Sequence, residues 1–338
     1  MALEFAEVLR TSDRLRAGIR NVEISDFGAT AKPRGKDLSP GCRACKGASW
    51  ICVLIGYGCN LDCRFCTQVD SHDDAMDPWA CGGDGSIRTI EDIERVAEVV
   101  PVTGLSYSGG EPLQYLDRVL EWARHFARTR PDVYQWIYTN GLLVTEENAS
   151  RLADAGIREI RFNLAATDYS RKVLDRMEAA RRRVERLCVE VPVMHWQLQG
   201  LLRTLPILDD LGVDFLNLHE LRLHGSSRLH YEKEALIDPG QIYRNADYSD
   251  LPFYLPSLID IYEAIRFIED RNLRIIYNEC GSRNYLLQDL AFWYQRRMMS
   301  PDCPRETFQE YLRKVDQVGG LRMKSPAPGE QGDRASFA

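Results

Sequence analysis

Three cysteines in a short segment have the residue type and spacing best suited to metal chemistry. Cys59, Cys63 and Cys66 follow the spacing C-x3-C-x2-C and come just after the apolar run 50–55. Thiolate sulfur is a soft ligand, and soft ligands favour iron–sulfur clusters. A cubic 4Fe–4S cluster held by three cysteines keeps one iron without a protein ligand. The segment therefore predicts a cluster with an open iron, at which a bound molecule can react.

Two other interpretations of these cysteines stay open on spacing alone. A structural zinc site needs a fourth ligand, and Cys42 and Cys45 form a C-x-x-C pair that could supply it. Buried cysteines also serve simply as small apolar side chains.

A second motif, Ser-Gly-Gly-Glu-Pro at 108–112, stands at the end of the next predicted strand. Its two glycines allow the backbone to approach a ligand closely, and Glu111 adds a carboxylate. Alone, the segment could be an ordinary turn before a helix that begins at Pro112. Together with the cysteine segment it favours a ligand-binding loop.

The two motifs, with the aromatic Phe65 just before the last cysteine, resemble the signature of radical S-adenosylmethionine (radical SAM) enzymes over about 50–221. The resemblance implies that Cys59, Cys63 and Cys66 bind a 4Fe–4S cluster. It also implies five contacts to S-adenosylmethionine: Phe65 near the adenine, Gly109, Gly110 and Glu111 at the methionine amino group, and Asn163 at the ribose. Asn163 could equally be a turn residue at the end of a strand.

The resemblance implies a mechanism as well. The cluster gives one electron to S-adenosylmethionine, and the resulting 5′-deoxyadenosyl radical removes a hydrogen atom from the substrate. The protein positions the reactants and shields the radical from water. An electron donor such as flavodoxin or ferredoxin is an expected partner.

Strand-length apolar runs alternate with helical patterns across 49–222. Six strand–helix units predict an α/β fold with a parallel sheet curled into a partial (β/α)6 barrel, with the functional loops at the carboxyl ends of its strands. The expected organisation is an N-terminal lead-in at 1–48, the barrel at 49–222, a C-terminal helical extension at 223–318 and a disordered tail at 319–338.

Within this organisation, Thr89 and Thr145 are predicted helix N-caps. The segments 24–48 and 224–255 show no periodic pattern and are predicted to be irregular. A seventh strand is expected at 273–277.

Polar residues at alternating positions of the predicted strands suggest a substrate pocket, because inward side chains should be mostly apolar. Arg161 and Asn163 share one face, Asn217 and His219 share another, and Glu190 lies on the strand between them. Glu190 and His219 are the candidate catalytic residues, and a buried Glu190 could have a raised pKa and act as a general acid or base. Equally, Glu190 could pair with an arginine and His219 could be a core histidine.

Four further cysteines flank the predicted barrel: Cys42, Cys45, Cys280 and Cys303. Together they could hold a second iron–sulfur cluster near the barrel mouth. Unlinked thiols or a zinc site are the alternatives.

Composition limits the partners and the compartment. The chain has 338 residues with 43 basic and 50 acidic side chains, which gives a net charge of −7. Such a mildly acidic chain does not show the positive charge that favours binding to nucleic acid. The N-terminus has no signal-peptide pattern and no membrane span is found. We therefore expect a cytoplasmic protein whose ten cysteines are reduced.

The leading functional hypothesis is a redox-neutral lyase, a dehydratase or decarboxylase, acting on a small hydroxylated molecule such as a sugar nucleoside. In length and tail the chain loosely resembles the radical SAM diol dehydratases and decarboxylases of antibiotic biosynthesis, including the cytosylglucuronate-processing type. The alternative is a peptide- or protein-modifying maturase or activating enzyme. A non-catalytic metal-binding module is a third possibility, but such a module has no use for a methionine-binding loop.

Overall fold

The structure is a computed structural model, and it describes residues 3–67, 78–83, 85–244, 251–303 and 305–317. The tail predicted at 319–338 lies outside the described residues.

Strands and helices alternate along most of the chain. The strands are β1 (Val22–Ser25), β2 (Thr30–Pro33), β3 (Trp50–Leu54), β4 (Trp79–Cys81), β5 (Gly104–Ser108), β6 (Tyr134–Thr139), β7 (Ile157–Phe162), β8 (Arg186–Val193), β9 (Phe215–Glu220), β10 (Ile242–Tyr243), β11 (Phe253–Tyr254) and β12 (Ile276–Cys280). The α-helices are α1 (Phe5–Ala17), α2 (Pro40–Lys46), α3 (Ile90–Ala97), α4 (Leu116–Thr129), α5 (Glu146–Asp154), α6 (Arg171–Arg181), α7 (Leu198–Asp210), α8 (Gly225–Lys233), α9 (Leu255–Asp270), α10 (Ser282–Met299) and α11 (Phe308–Gln317).

The main sheet has eight strands in the order β12-β9-β8-β7-β6-β5-β3-β4. All neighbours pair in parallel except β4, which runs antiparallel to β3. The helices between consecutive parallel strands make this the partial α/β barrel predicted from the sequence, and that prediction is confirmed. The carboxyl ends of its parallel strands therefore meet at one edge.

The local signals for two helices act as predicted. The Thr89 side chain accepts a hydrogen bond from the backbone N–H of Asp92, and Thr145 does the same for Asn148. In both cases the residue three positions on hydrogen-bonds back to the capping residue, which completes a capping box. Each cap fixes the point at which the chain leaves a strand-end loop and enters a helix.

The segment 24–48 is more ordered than predicted. It contains the β1–β2 antiparallel pair and the short helix α2, capped by the Ser39 hydroxyl, which accepts from the Gly41 N–H at 3.1 Å. A Cβ on Gly41 would lie 2.6 Å from Nη2 of Arg161 and 3.0 Å from the Trp136 ring, so a larger residue would require these side chains to shift. The helix has seven residues and begins at Pro40, which leaves too little periodic pattern to detect.

The segment 224–255 also differs from the prediction, because its described part contains α8 and the β10–β11 pair. The residues of α8 are mostly polar, and each strand of the pair has only two residues. Such short elements give little periodicity in the sequence.

The C-terminal extension joins the barrel through β12, which pairs in parallel with β9. A buried ion pair between Arg16 of α1 and Glu279 of β12 ties the N-terminal helix to the same edge strand. Since β12 is parallel to its neighbours, the helix after it, α10, begins at the carboxyl edge of the sheet. This topology brings the first turn of α10, with Tyr285, to the ends of the barrel strands.

Among the described residues, no helix is both long enough and apolar enough to cross a membrane.

Candidate active site and cofactor centre

A cavity of about 360 Å³ lies at the carboxyl ends of the barrel strands. The loop after β3, the loop after β5 and the ends of β7, β8 and β9 all contribute to its wall. Ten residues predicted from the sequence line it together: Cys59, Cys63, Phe65, Cys66, Gly109, Gly110, Glu111, Asn163, Glu190 and His219. The fold thus gathers the two motifs and the polar strand positions around one space.

The two glycines after β5 are required by the close approach of the cysteine loop. The Gly110 N–H donates to the Gly56 carbonyl at 2.9 Å, and the Glu111 N–H donates to the Gly58 carbonyl at 2.8 Å. A Cβ on Gly109 would lie 2.1 Å from the Gly56 carbonyl oxygen, and one on Gly110 equally close to that of Gly58. Any larger residue at either glycine would push the two motifs apart.

The three loop cysteines form a thiol cluster that fits the donor set of an iron–sulfur centre. All three side chains are half-buried, and the Cys66 N–H donates to the Cys63 carbonyl at 2.9 Å. Burial raises the pKa of Cys63 to about 12, and the neighbouring Cys66 and Cys59 sulfurs add to the effect. Bound cations reverse such shifts, because a coordinating thiol is deprotonated. The three thiols lie on one short loop and line one cavity, which is the donor set that a multi-iron group needs.

Within the part of the chain that the structure describes, no three His, Cys, Asp or Glu side chains are grouped around a point that could hold a single metal ion. Cys59, Cys63 and Cys66 are among these residues. In a cubic cluster each thiolate binds a different iron, so its ligands stand farther apart than the ligands of one ion.

Glu111 connects the loops after β5 and β6. Its Oε1 accepts from the Leu113 N–H at 3.1 Å and from the Thr139 hydroxyl at 2.9 Å, and its Oε2 accepts from the Asn140 N–H at 2.8 Å. Burial raises the pKa of Glu111, although these hydrogen bonds act against it. A carboxylate has about four acceptor positions, so one remains for an ammonium group. The predicted contact with the methionine amino group stays a prediction.

Asn163 and Phe65 both line the cavity, close to the other residues predicted to contact S-adenosylmethionine. The Asn163 side chain accepts from the Ala166 N–H at 3.3 Å, which is the strand-end turn role foreseen as its alternative. Phe65 is half-buried and packs against the main hydrophobic core. The ribose and adenine contacts of these two residues stay predictions.

Glu190 is held by three side chains on the cavity wall. Its Oε2 lies 2.9 Å from Nη1 of Arg161 and accepts from Nδ2 of Asn217 at 2.7 Å, and its Oε1 lies 3.0 Å from Nε2 of His219. Burial by itself would raise the pKa of Glu190, but Arg161 and His219 outweigh it and lower the pKa to about 2. The expectation of a raised pKa is therefore wrong, because a guanidinium from the neighbouring strand stabilises the carboxylate.

The ionised Glu190 determines which nitrogen of His219 carries a proton. A carboxylate only accepts hydrogen bonds, so Nε2 must donate to it, and Nδ1 of the neutral ring is then an acceptor. The Tyr285 hydroxyl lies 2.9 Å from this Nδ1. Tyr285, His219 and Glu190 thus form a hydrogen-bonded chain in which a proton can pass from the tyrosine to the imidazole.

Several residues of this wall were not predicted from the sequence, among them Glu220, Arg222 and Tyr285. The Glu220 carboxyl accepts hydrogen bonds from the Tyr243 hydroxyl and, at 3.0 Å, from the Ser282 N–H. Burial raises the pKa of Glu220 to about 8, so the group holds a proton at neutral pH. Tyr285 belongs to α10. The strand predicted at 273–277, which the structure has at Ile276–Cys280, was the available signal that the next helix begins near the site.

The four cysteines proposed for a second cluster lie outside the residues that line this cavity. Three of them accept a hydrogen bond from a side-chain amide: Cys42 from Asn217 at 3.3 Å, Cys45 from Gln288 at 3.1 Å and Cys280 from Asn278 at 3.0 Å. Cys303 is half-buried and follows α10. Burial raises the pKa of Cys42 and Cys280, and that of Cys45 to about 11. The second cluster stays a prediction.

Comparison with protein families gives one match over the barrel. The model of the radical SAM superfamily matches residues 53–190. The chain carries a radical SAM domain. This domain contains both motifs, and enzymes of the superfamily use a 4Fe–4S cluster and S-adenosylmethionine. The residues present fit these groups, because three adjacent thiols and a glycine cradle with a buried carboxylate face one cavity.

One curated relative of the radical SAM domain is a Methanocaldococcus jannaschii protein named for the activation of glycyl-radical enzymes. It is 22% identical over 208 residues, which is 59% of this chain and 54% of the relative. The match thus spans about half the length of that protein.

Solved structures of radical SAM proteins also match. Streptococcus suis SuiB bound to S-adenosylmethionine has a TM-score of 0.47 and 14% identity, covering 75% of this chain and 53% of that chain. The radical SAM methyltransferase TsrM from Kitasatospora setae, with tryptophan and a S-adenosylmethionine analogue bound, has a TM-score of 0.46 and 14% identity, covering 83% and 65%.

Proposed function

We propose that this radical SAM protein removes a hydrogen atom from a small hydroxylated substrate, such as a sugar nucleoside, and catalyses its redox-neutral dehydration or decarboxylation. The observation that supports this most directly is the hydrogen-bonded chain of Tyr285, His219 and Glu190. It lines the same cavity as the three cysteines, so a proton acceptor stands where a radical reaction would begin.

The cofactors would be held by the two motifs. Cys59, Cys63 and Cys66 would hold the cluster, and the Gly-Gly-Glu segment would hold the methionine end of S-adenosylmethionine. When bound, these groups supply the one-electron chemistry that removes a hydrogen atom from carbon. A reductant such as flavodoxin or ferredoxin would supply the electron. The chain's own residues then orient the substrate and handle its protons.

The task that remains for the protein is proton transfer at a hydroxyl group. Loss of a hydrogen atom from the carbon that carries a hydroxyl makes that hydroxyl more acidic. Tyr285 lines the cavity, and its hydroxyl would accept the hydroxyl proton of the substrate while it passes its own proton to Nδ1 of His219. The imidazolium is then stabilised by Glu190, 3.0 Å from its other nitrogen. General acid–base catalysis of this kind contributes about 10²–10⁴-fold to a rate.

Dehydration balances without an external oxidant. As the hydroxyl proton leaves, a C=O bond forms and the hydroxyl on the next carbon departs as hydroxide, which takes the proton back as water. The unpaired electron is then on that next carbon, and a returned hydrogen atom ends the reaction. The substrate loses one water in total. Decarboxylation converts a neighbouring carboxylate group and one proton into a C–H bond and carbon dioxide. This reaction also needs no oxidant.

A second candidate is an activating enzyme or maturase that abstracts hydrogen from a protein or peptide. The name of the Methanocaldococcus jannaschii relative supports it. In that case a glycyl or other backbone Cα–H would be the hydrogen donor. The reaction would then need no proton transfer through Tyr285, His219 and Glu190.

Deuterium transfer tests the proposal and separates the two candidates. The anaerobically reconstituted protein would be mixed with S-adenosylmethionine, dithionite and a sugar nucleoside deuterated at its carbinol carbons. We expect deuterium in 5′-deoxyadenosine, together with a product lighter by water or carbon dioxide. Absence of deuterium with a panel of such nucleosides, alongside transfer from a Cα-deuterated glycine peptide, would favour the activating-enzyme function.

A further inference from the structure

Arg222 lines the cavity wall and, among the described residues, has no ion pair with a carboxylate. It stands two residues beyond β9 and lines the cavity, and its backbone bridges to Phe253. Its Nε atom is shielded from solvent and has no hydrogen-bond partner. Within the described residues, Arg222 forms no ion pair with any carboxylate. A guanidinium carries five N–H donors, and leaving a buried donor unmatched is unfavourable.

Two buried arginines of the described chain, by contrast, are paired with carboxylates. Arg161, which also lines the cavity, pairs with Glu159 and Glu190 at 2.5 and 2.9 Å. Arg16 pairs with Glu279 in the core. Arg222 has a carboxyl two residues away in Glu220, but that group is bonded to Tyr243 and Ser282 instead. No carboxylate of the described residues pairs with Arg222, so its charge is available to a group that enters the cavity.

The guanidinium is also held in place. Its central carbon lies 4.7 Å from the centre of the Tyr285 ring, a cation–π arrangement that restricts the long side chain. The hydroxyl of the same tyrosine begins the chain to His219. A group bound at Arg222 would thus be positioned next to the group that accepts the substrate proton.

We propose that Arg222 binds an oxyanion of the substrate, a carboxylate or a phosphate, and that the enzyme therefore selects anionic substrates. This inference rests on the proposed function, because it assigns a charge to the same small molecule. Planar guanidinium groups bind both oxyanions through two parallel hydrogen bonds, which adds orientation to affinity. The anion fixes one end of the substrate, and Tyr285 then meets a hydroxyl at a set distance from it.

Binding measurements on the reconstituted protein saturated with S-adenosylmethionine test the proposal. The probes are glucuronate, glucose 6-phosphate and neutral glucose, titrated calorimetrically. We expect at least one anion to bind about 10-fold or more tightly than glucose. Glucuronate or glucose 6-phosphate as the stronger ligand then identifies the oxyanion as carboxylate or phosphate. Equal binding of all three sugars would overturn the proposal.

Three variants assign the effect to one side chain. Arg222→Gln should bind the anions no better than glucose. Arg222→Lys should keep part of the preference for anions, since lysine retains the positive charge but lacks the planar guanidinium group. The control Arg20→Gln changes an exposed arginine near Asp270 and should bind like the unmodified protein. Unchanged anion preference in both Arg222 variants, with thermal unfolding like that of the control, would overturn the proposal.

S-adenosylmethionine also has a carboxylate, so its affinity is measured in the same variants. A tenfold loss of cofactor affinity in Arg222→Gln, without loss of the anion preference, would assign Arg222 to the cofactor and overturn the proposal. The outcome for the proposed function is separate. If the anion preference depends on Arg222 but no deuterium reaches 5′-deoxyadenosine from any hydroxylated substrate, the anion site stands and the proposed reaction fails.

Discussion

Oε1 of Glu190 lies 3.0 Å from Nε2 of His219, and the same carboxylate is paired with Arg161 on its other side. Because Arg161 keeps the carboxylate ionised, Glu190 orients the imidazole and stabilises its protonated form. In the proposed function Glu190 is therefore a positioning residue, and His219 and Tyr285 would handle the proton.

Replacing Glu190 by Gln should lower stability in a pH-dependent manner. The pKa of Glu190 is lowered to about 2, so its ionised form stabilises the fold above its ordinary pKa, and that contribution is lost as the pH falls towards 2. The shift corresponds to about 3 kcal/mol at neutral pH. Urea unfolding at pH 7 and pH 3 measures it, and the gap between the unmodified protein and the variant should narrow at pH 3.

The matched control is Glu178→Gln, which changes an exposed carboxylate 3.7 Å from Arg182. Exposed pairs of this kind contribute about 0–1 kcal/mol. If both variants lost the same small amount of stability at both pH values, the ion pair of the half-buried Glu190 would not stabilise the fold.

Replacing Tyr285 by Phe should slow product formation while leaving the fold intact. The phenyl ring keeps the contact with Arg222 but removes the hydroxyl that is hydrogen-bonded to His219. We expect a loss of about 10²-fold or more in product formation, since a general acid–base group is removed. Dithionite-driven cleavage of S-adenosylmethionine without substrate should continue at the normal rate. Equal losses in both assays would point to a structural role instead.

Glu220 should make stability fall as the pH rises. Its pKa is raised to about 8, so the folded protein holds a proton that the unfolded chain releases above its ordinary pKa of 4.5. Stability contributed by this proton is complete below pH 4.5 and is lost up to about pH 8, with a slope of at most about 1.4 kcal/mol per pH unit. Glu220→Gln should flatten this part of the stability curve. An identical slope in the variant would contradict the buried, protonated state.

Replacing Gly110 by Ala should separate the two cofactor motifs. The new methyl carbon would lie 2.1 Å from the Gly58 carbonyl oxygen, and backbone atoms cannot yield as a flexible side chain can. We expect lower stability and a marked loss of bound iron, because the cysteine loop must shift. Gly225→Ala is the control, since nothing lies within 4 Å of its added carbon. Full iron content in Gly110→Ala would show that the loops do not depend on this contact.

Much of the barrel could be predicted from the sequence, because its strands and loops follow from local sequence patterns. Apolar runs give the six barrel strands, and the spacing of cysteines and glycines gives the two loops that face the cavity. The substrate wall depends instead on contacts between distant segments. Arg161, 29 residues before Glu190 in sequence, reverses the expected pKa shift, and Tyr285 reaches His219 from a helix 66 residues further on. No periodicity in a single segment encodes such pairs.

We expect Cys59, Cys63 and Cys66 to hold one iron–sulfur cube in a radical SAM site. The most direct test is iron content with visible and electron-spin-resonance spectra of anaerobically purified protein, compared with Cys63→Ala and with Cys188→Ala, which alters a buried cysteine of β8. We predict about four irons per chain, lost in the first variant and kept in the second. About eight irons would add the second cluster at Cys42, Cys45, Cys280 and Cys303. A colourless protein, or spectra unaffected by loss of Cys63, would contradict the account.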